Sequence, residues 1–195
     1  MPPDSAATKA RLLQAAAEEF AAHGLAGARV DRIAAAAGAN KRLIYVYFTN
    51  KETLFDTVVS HSVSQISLDV PFTAGDLPGY AGALFDYLVE HPEHLRLAAW
   101  SQLEWPAAKS DAVDGYRAKV DQLAANAGEG SIAADLNPVD ALALLLGMVT
   151  SWFYASPALR VLSNEDSHSP ERLSDHRSAL IATVAVWAGA RPARR

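Results

Sequence analysis

Between Lys41 and Lys51 the chain places two lysines, an arginine and two tyrosines within eleven residues, KRLIYVYFTNK. Ammonium and guanidinium groups donate to phosphate oxygens, and a guanidinium can also take the two acceptors on one guanine edge. A tyrosine adds a ring that can face a base or a hydroxyl that can reach a sugar–phosphate backbone. Asn40, just before, is of the type that caps a helix start, and it could also contact a base. Lys51 follows Asn50, another capping type, so its ammonium and the free N–H groups of a helix start could hold one phosphate together. Arg29, ahead of a short apolar pattern, could do likewise. The candidate contacts to an anionic polymer are therefore Arg29, Asn40, Lys41, Arg42, Tyr45, Tyr47 and Lys51.

These residues need elements that hold them in place. A first helix is expected from about Ser5 or Thr8 to His23, with Leu12, Leu13, Ala16, Ala17 and Phe20 on its inner stripe and Gly24 as a left-handed stop. A short helix over Val30 to Ala37 carries Val30, Ile33, Ala34 and Ala37 on one face. Gly38-Ala39-Asn40 makes a corner, and a helix capped by Asn40 runs from Lys41 to Tyr47. Phe48 faces away from the basic residues and reads as core. Asn50 then caps a longer helix to about Leu68. Two short helices meeting at a glycine corner, the second one basic, look like a helix-turn-helix, in which one helix braces another in the DNA major groove.

The rest of the chain limits the alternatives. Its 195 residues carry a net charge of −5, with no cysteine. Residues 1 to 55 hold seven Lys/Arg against five acids, whereas the remainder holds ten against seventeen. Only the first part is suited to meet a polyanion. Without cysteine, disulfides, thiolate nucleophiles and cysteine-rich zinc sites are excluded. No run approaches a membrane span and the N-terminus has no apolar signal core, so a cytosolic protein with no membrane association is expected.

Strand signals are almost absent, while alanine and leucine recur at helical spacing. Residues 70 to 82 concentrate Pro and Gly and read as a connection or broken helix. Helices are expected over Tyr80 to His91, Glu93 to Trp105 and Asp111 to Ala127, the last ended by Gly128-Glu129-Gly130. Asn137 and Pro138 open a strongly apolar helix to Tyr154. After a polar loop over 163 to 170, a last helix runs from Pro170 to Ala188, with a frayed tail. The fold class is all-α, with about nine helices. An N-terminal three-helix helix-turn-helix domain (residues 1–50) precedes a C-terminal helical bundle (51–195), the helix from 51 joining the two.

Thr8 to Leu54 resembles the N-terminal domain of the TetR family of transcriptional regulators. The resemblance is carried by Ala15-Ala16, Phe20, Gly24, Val30, Ile33-Ala34, Ala37-Gly38, Tyr45, Tyr47-Phe48 and Lys51. It implies an all-helical homodimer that binds double-stranded DNA and whose C-terminal domain takes a small effector. Three positions depart from the family pattern: Ala39 for valine, Asn40 for serine or threonine, and Arg42 for glycine. They bear on which operator is read, a palindrome being the expected form. A helical ligand-binding or protein-interaction module that no longer reads DNA is the alternative.

In the acidic part, aromatic side chains suggest both core and pocket. Trp100, Glu104 and Trp105 lie close on one helix, and Met148 and Trp152 share a face of another. Trp100, Glu104, Tyr116, Met148 and Trp152 are the candidate ligand pocket, with Glu104 able to anchor a cation. The helix from Val139 to Tyr154 is apolar on nearly every face, and Gly147 would allow a neighbour to approach closely. Leu142, Leu145, Val149, Leu180, Val184 and Trp187 are the candidate dimer interface, against a wholly intrachain core. His91 and His94, in EHPEH, and His168 and His176 read as surface or capping residues, so no metal is expected. No nucleophile elbow, phosphate loop or dinucleotide fingerprint occurs; no catalytic residue, enzyme activity or cofactor is expected.

Overall fold

Capping residues decide where most of the helices begin. Asn40 accepts from the Arg42 N–H at 2.8 Å, Asn50 from Thr53 at 2.7 Å, and Asn137 from Val139 at 2.9 Å. The computed structural model describes residues 5–104, 110–126, 136–162 and 166–189. Ten helices and no strand occur among them. They are α1 (Ser5–Gly27), α2 (Val30–Ala36), α3 (Lys41–Phe48), α4 (Lys51–Asp69), α5 (Leu77–Glu90), α6 (Pro92–Glu104), α7 (Ser110–Ala125), α8 (Pro138–Tyr154), α9 (Pro157–Val161) and α10 (Pro170–Ala188). The stop expected at Gly128, the polar residues 163–165, Trp105 and the tail beyond 189 lie outside the described residues.

Two differences from the sequence reading have simple causes. α1 continues one turn past Gly24, whose φ of 67° and ψ of −177° kink the helix rather than end it. α9 was not anticipated. It is a single turn, capped by Ser156 with Pro157 in its first position, too short to show a period.

The chain packs as two units, Met1–Leu68 with His91–Ala112, and Asp69–Glu90 with Val113–Arg195. In the first, α1 packs against α2 and α6, and α2 against α3. Its core includes Leu12, Phe20, Ile33, Ile44, Leu54 and Phe55, all essentially inaccessible. Phe20 and Phe55 meet edge to face at 5.0 Å. Each such side chain contributes roughly 1.5–3 kcal/mol on burial.

In the second unit α5 packs against α10 and α8, burying Leu84, Phe85, Leu88, Leu145, Val149 and Val184. Gly82 permits the α5–α10 approach: a Cβ there would come within 2.8 Å of Ile181 Cδ1. That role was expected of Gly147, which instead is exposed with nothing within 4 Å of an added Cβ. Arg177 Nε closes the same pair of helices on Asp86 at 2.7 and 2.8 Å.

Candidate nucleic-acid interface

The corner between α2 and α3 is fastened by its own backbone and by α1. The N–H of Ala37 donates to Ile33 at 3.0 Å and that of Ala39 to Ala34 at 2.9 Å. Gly38 supplies the left-handed φ of 58°. Arg11 Nε donates to the Ala37 carbonyl at 3.2 Å. α3 then turns Ile44 and Phe48 into the core, while Lys41, Arg42, Tyr45 and Val46 are exposed. This division follows from positions 41, 42, 45 and 46 sharing one face of a 3.6-residue helix. Ala34 and Ala37, buried beneath, are small enough for α3 to lie close.

The seven candidate contacts differ in what already holds them. Arg42 and Tyr45 are exposed, and the Arg42 guanidinium has no partner among the described residues. Asn40 is exposed, its Oδ1 committed to the cap. Lys41 Nζ lies 2.8 Å from Asp31 Oδ1, and this hydrogen bond raises its pKa. Tyr47 is half-buried, its ring 6.2 Å from that of Phe48. Lys51 Nζ donates to the Ala28 carbonyl at 3.3 Å, leaving other ammonium protons to point elsewhere. Arg29 is exposed at the N-cap of α2.

Sequence reasoning missed Glu19. Its Oε1 accepts from the Arg29 N–H at 2.8 Å and from Arg32 Nε at 2.8 Å, with Arg32 Nη2 at 2.5 Å. One carboxylate thus positions the start of α2 and neutralises a neighbouring cation. Burial pushes the Glu19 pKa up, but the Arg32 and Arg29 hydrogen bonds outweigh it and the net shift is downward. Thr49 was also missed. It follows α3 with φ 67° and ψ −52°, and the Asn50 N–H bonds the Phe48 carbonyl at 2.7 Å across it, a γ-turn.

Comparison with known proteins agrees with this geometry. Residues 12–58 match the model for bacterial regulatory proteins of the tetR family, and residues 76–185 that for the tetracyclin repressor-like C-terminal domain. The chain is 38% identical over 161 residues to the HTH-type transcriptional repressor SCO4008 of Streptomyces coelicolor, covering 80% of this chain and 83% of that one. It belongs to the TetR family. The HTH-type transcriptional repressor NicS of Pseudomonas putida is 32% identical over 103 residues, 49% of each chain. The crystal structure of the putative transcriptional regulator SCO4942 from Streptomyces coelicolor superposes with a TM-score of 0.80 at 34% identity, covering 94% of this chain and 99% of that one. As a member of this family the chain is a DNA-binding transcription regulator and not an enzyme. No helix among the described residues is long and apolar enough to cross a membrane.

The TetR C-terminal half departs from the sequence expectations. The five candidate ligand residues do not form one pocket. Trp100 and Glu104 belong to the first unit, where they close the end of α1. Trp100 Nε1 donates to the Ala21 carbonyl at 3.3 Å, and the Glu104 carboxylate accepts from the Leu25 and Ala26 N–H groups. Glu104 is thus spent on helix donors, not on a cation. In the second unit Tyr116 borders a hollow of about 530 Å³ between α7 and α8, with Val120, Val139, Leu142 and Leu146. Trp152 borders another, of about 430 Å³, where α8 meets α9 and α10. Met148, half-buried, lines neither.

The interface expectation is corrected in the same way. Leu142, Leu145, Val149, Leu180 and Val184 are buried in the chain's own core, with no surface left for a partner; Trp187 is half-buried. The face that α8 leaves exposed carries Ala143, Leu144, Gly147 and Tyr154, and that of α10 carries Ala179, Ala182, Thr183 and Val186. Of the histidines, His91 and His94, together with Glu93, each bring a ligand-capable atom within 4.8 Å of the others. His94 Nδ1 also sits 2.5 Å from Ser62 Oγ.

Proposed function

We propose that the chain is a homodimeric repressor that binds a palindromic double-stranded operator in the cytosol and is released by a small-molecule effector. The observation that carries this reading is the outward trio Lys41, Arg42 and Tyr45 on a capped α3 whose opposite side, Ile44 and Phe48, is locked in the core. A rigid helix with a cationic, aromatic face is what base-edge recognition in a major groove requires. Residues 1–50 form the reading domain and residues 51–195 the effector and dimerisation domain. Arg42 and Tyr45 read bases; Lys41, Tyr47, Lys51 and Arg29 hold phosphates; Asn40 caps and borders the bases.

The dimer forms through the exposed faces of α8 and α10, where Ala143, Gly147, Ala179 and Ala182 let helices approach and Leu144, Tyr154 and Val186 supply apolar surface. Two reading helices one DNA turn apart, about 34 Å, then match a palindrome. The effector lodges in a hollow of the second unit, and binding there favours a conformation unsuited to the operator.

Footprinting on the DNA upstream of the chain's own gene tests the reading, with protection of an inverted repeat as the expected result. Arg42→Ala or Tyr45→Ala should cost roughly 1–3 kcal/mol at the preferred base and relax preference there. Lys51→Ala should weaken all sequences alike and flatten the salt dependence by about one charge. Unchanged operator affinity in the Lys41→Ala/Arg42→Ala double variant would show that α3 is not the reading helix. No specific protection at moderate salt would favour a helical module without sequence-specific DNA binding.

A further inference from the structure

The hollow where α8 meets α9 and α10 contains a charge that no described residue balances. The Arg172 guanidinium lies 4.4 Å from the centre of the Trp152 ring, and its Nε is buried with no hydrogen-bond partner. Among the described residues no carboxylate comes within ion-pair distance of it. Two other arginines are treated differently: Arg177 is held by Asp86 and Arg32 by Glu19. One helical turn beyond Arg172, His176 stacks 4.9 Å from Trp152 and 5.5 Å from Phe85. Its Nε2 is likewise buried and without a partner. A partly buried cation and an orphaned ring nitrogen on the same face of α10 are costly to leave unmatched.

Both residues border the hollow, whose other walls are Ser151, its hydroxyl bonded to the Met148 carbonyl, and Trp152, Ala155, Leu159 and Leu162. Its volume of about 430 Å³ lies within the range of small-molecule sites. We propose that this hollow binds a small apolar carboxylic acid, one carboxylate oxygen accepting from Arg172 and the other from His176. The hydrocarbon part lies against Trp152, Leu159 and Leu162. A planar carboxylate can offer one oxygen to each of two nitrogen donors that stand one helical turn apart and border the same hollow. A phosphate would bring a second charge and a third oxygen into a wall that offers no second cation. The α7–α8 hollow makes no such selection, because Arg117 and Asp121 both border it and their charges oppose.

Burial, followed by the nearby Arg172 charge, lowers the pKa of His176, so its ring is neutral at physiological pH and must use its Nε2–H tautomer to donate. The hollow then carries one net positive charge, matching one carboxylate. Naming the acid as the effector rests on the regulatory reading above; binding in the hollow does not.

The test is calorimetric titration of the full chain, without DNA, with sodium octanoate and with neutral octanamide. Octanoate should bind at least about tenfold more tightly. Arg172→Gln should abolish that preference while keeping octanamide binding, and Arg117→Gln should leave the preference intact. If Arg172→Gln fails to fold, as judged by circular dichroism, His176→Phe serves instead. It keeps a ring against Trp152 and should weaken octanoate several-fold. Equal affinity for the two probes, no octanoate binding, or loss of preference in Arg117→Gln instead of the α10 variants each overturns the proposal. Operator binding by the same preparation is read separately. Operator binding without octanoate binding sinks the site alone; octanoate preference without operator binding sinks the regulator reading alone.

Discussion

Replacing Gly24 with alanine probes the joint between α1 and α6, and its cost can be worked from two separate sources. The first is backbone conformation. At φ 67° and ψ −177° the residue occupies a region open almost only to glycine, and an alanine forced into it costs roughly 1–3 kcal/mol. The second is contact. The new Cβ would lie 2.8 Å from Trp100 Cε3, 2.9 Å from Cδ2 and 3.0 Å from Glu104 Oε2. Neither neighbour yields easily, since Trp100 is tied to the Ala21 carbonyl and Glu104 to the Leu25 and Ala26 N–H groups. Overpacking against fixed groups adds about 1–3 kcal/mol. The sum, roughly 2–6 kcal/mol, is a large share of a typical domain's ~5–15 kcal/mol. Thermal unfolding followed by far-UV circular dichroism should register it as a fall in Tm of some 5–20 °C, and urea unfolding as a lowered midpoint. In a Trp100→Ala background the contact part should shrink to what Glu104 contributes, leaving mainly the backbone part. A loss below about 1 kcal/mol in the native background refutes the reasoning altogether, and an identical loss in both backgrounds refutes the contact part.

Two further perturbations follow. Thr49→Gly should raise the urea midpoint by an equivalent of about 0.5–2 kcal/mol, because relief of a positive-φ threonine exceeds the unfolded-state entropy that glycine adds; a lowered midpoint contradicts the strain. Tyr80 carries a buried hydroxyl with no hydrogen-bond partner, and burial, then the nearby Tyr116, pushes its pKa up to about 12. Its folded pKa is therefore above the unfolded value near 10, so the stability it contributes is complete below pH ~10 and lost as pH rises towards 12. Tyr80→Phe should match or exceed the native protein at pH 7 and gain on it by roughly 2–3 kcal/mol between those limits. Parallel stability curves for the two proteins above pH 10 would show that Tyr80 is not desolvated.

Helix starts were legible where a capping side chain or a proline preceded a sustained apolar period, as at Asn40, Asn50, Asn137 with Pro138, and Ser169 with Pro170; Ser156 with Pro157 opens a helix too short to carry such a period. The outward face of α3 was legible too, because alternation of core and exposed positions is written in eight consecutive residues. Partnerships across the chain were not. Glu19 lies ten residues from Arg29, and Glu104 lies 79 from Leu25, and nothing local marks either as a cap for a distant backbone. Trp100 and Glu104 looked like a ligand pocket because tryptophan beside an acid suits one. A glycine that cannot tolerate a Cβ gave the same pair a structural task. The apolar run of α8 suggested an interface, yet α5 and α10 already cover its most hydrophobic side. Thr49 defeats propensity reasoning outright, since a β-branched residue is the last expected at positive φ.

The ion pairs of Lys41 with Asp31 and Arg32 with Glu19 bear on how quickly this protein leaves the wrong DNA. Both cations reach any duplex already neutralised, so a random sequence must displace a carboxylate to gain each phosphate. Few counterions would then be released on casual encounter, and residence on bulk chromosome would be short. On the proposed function, base contacts from Arg42 and Tyr45 at the operator would make up what the exchange costs. The acids beside the reading helix therefore act as built-in competitors for phosphate, widening the ratio between operator and background occupancy on which a regulator facing a whole genome depends.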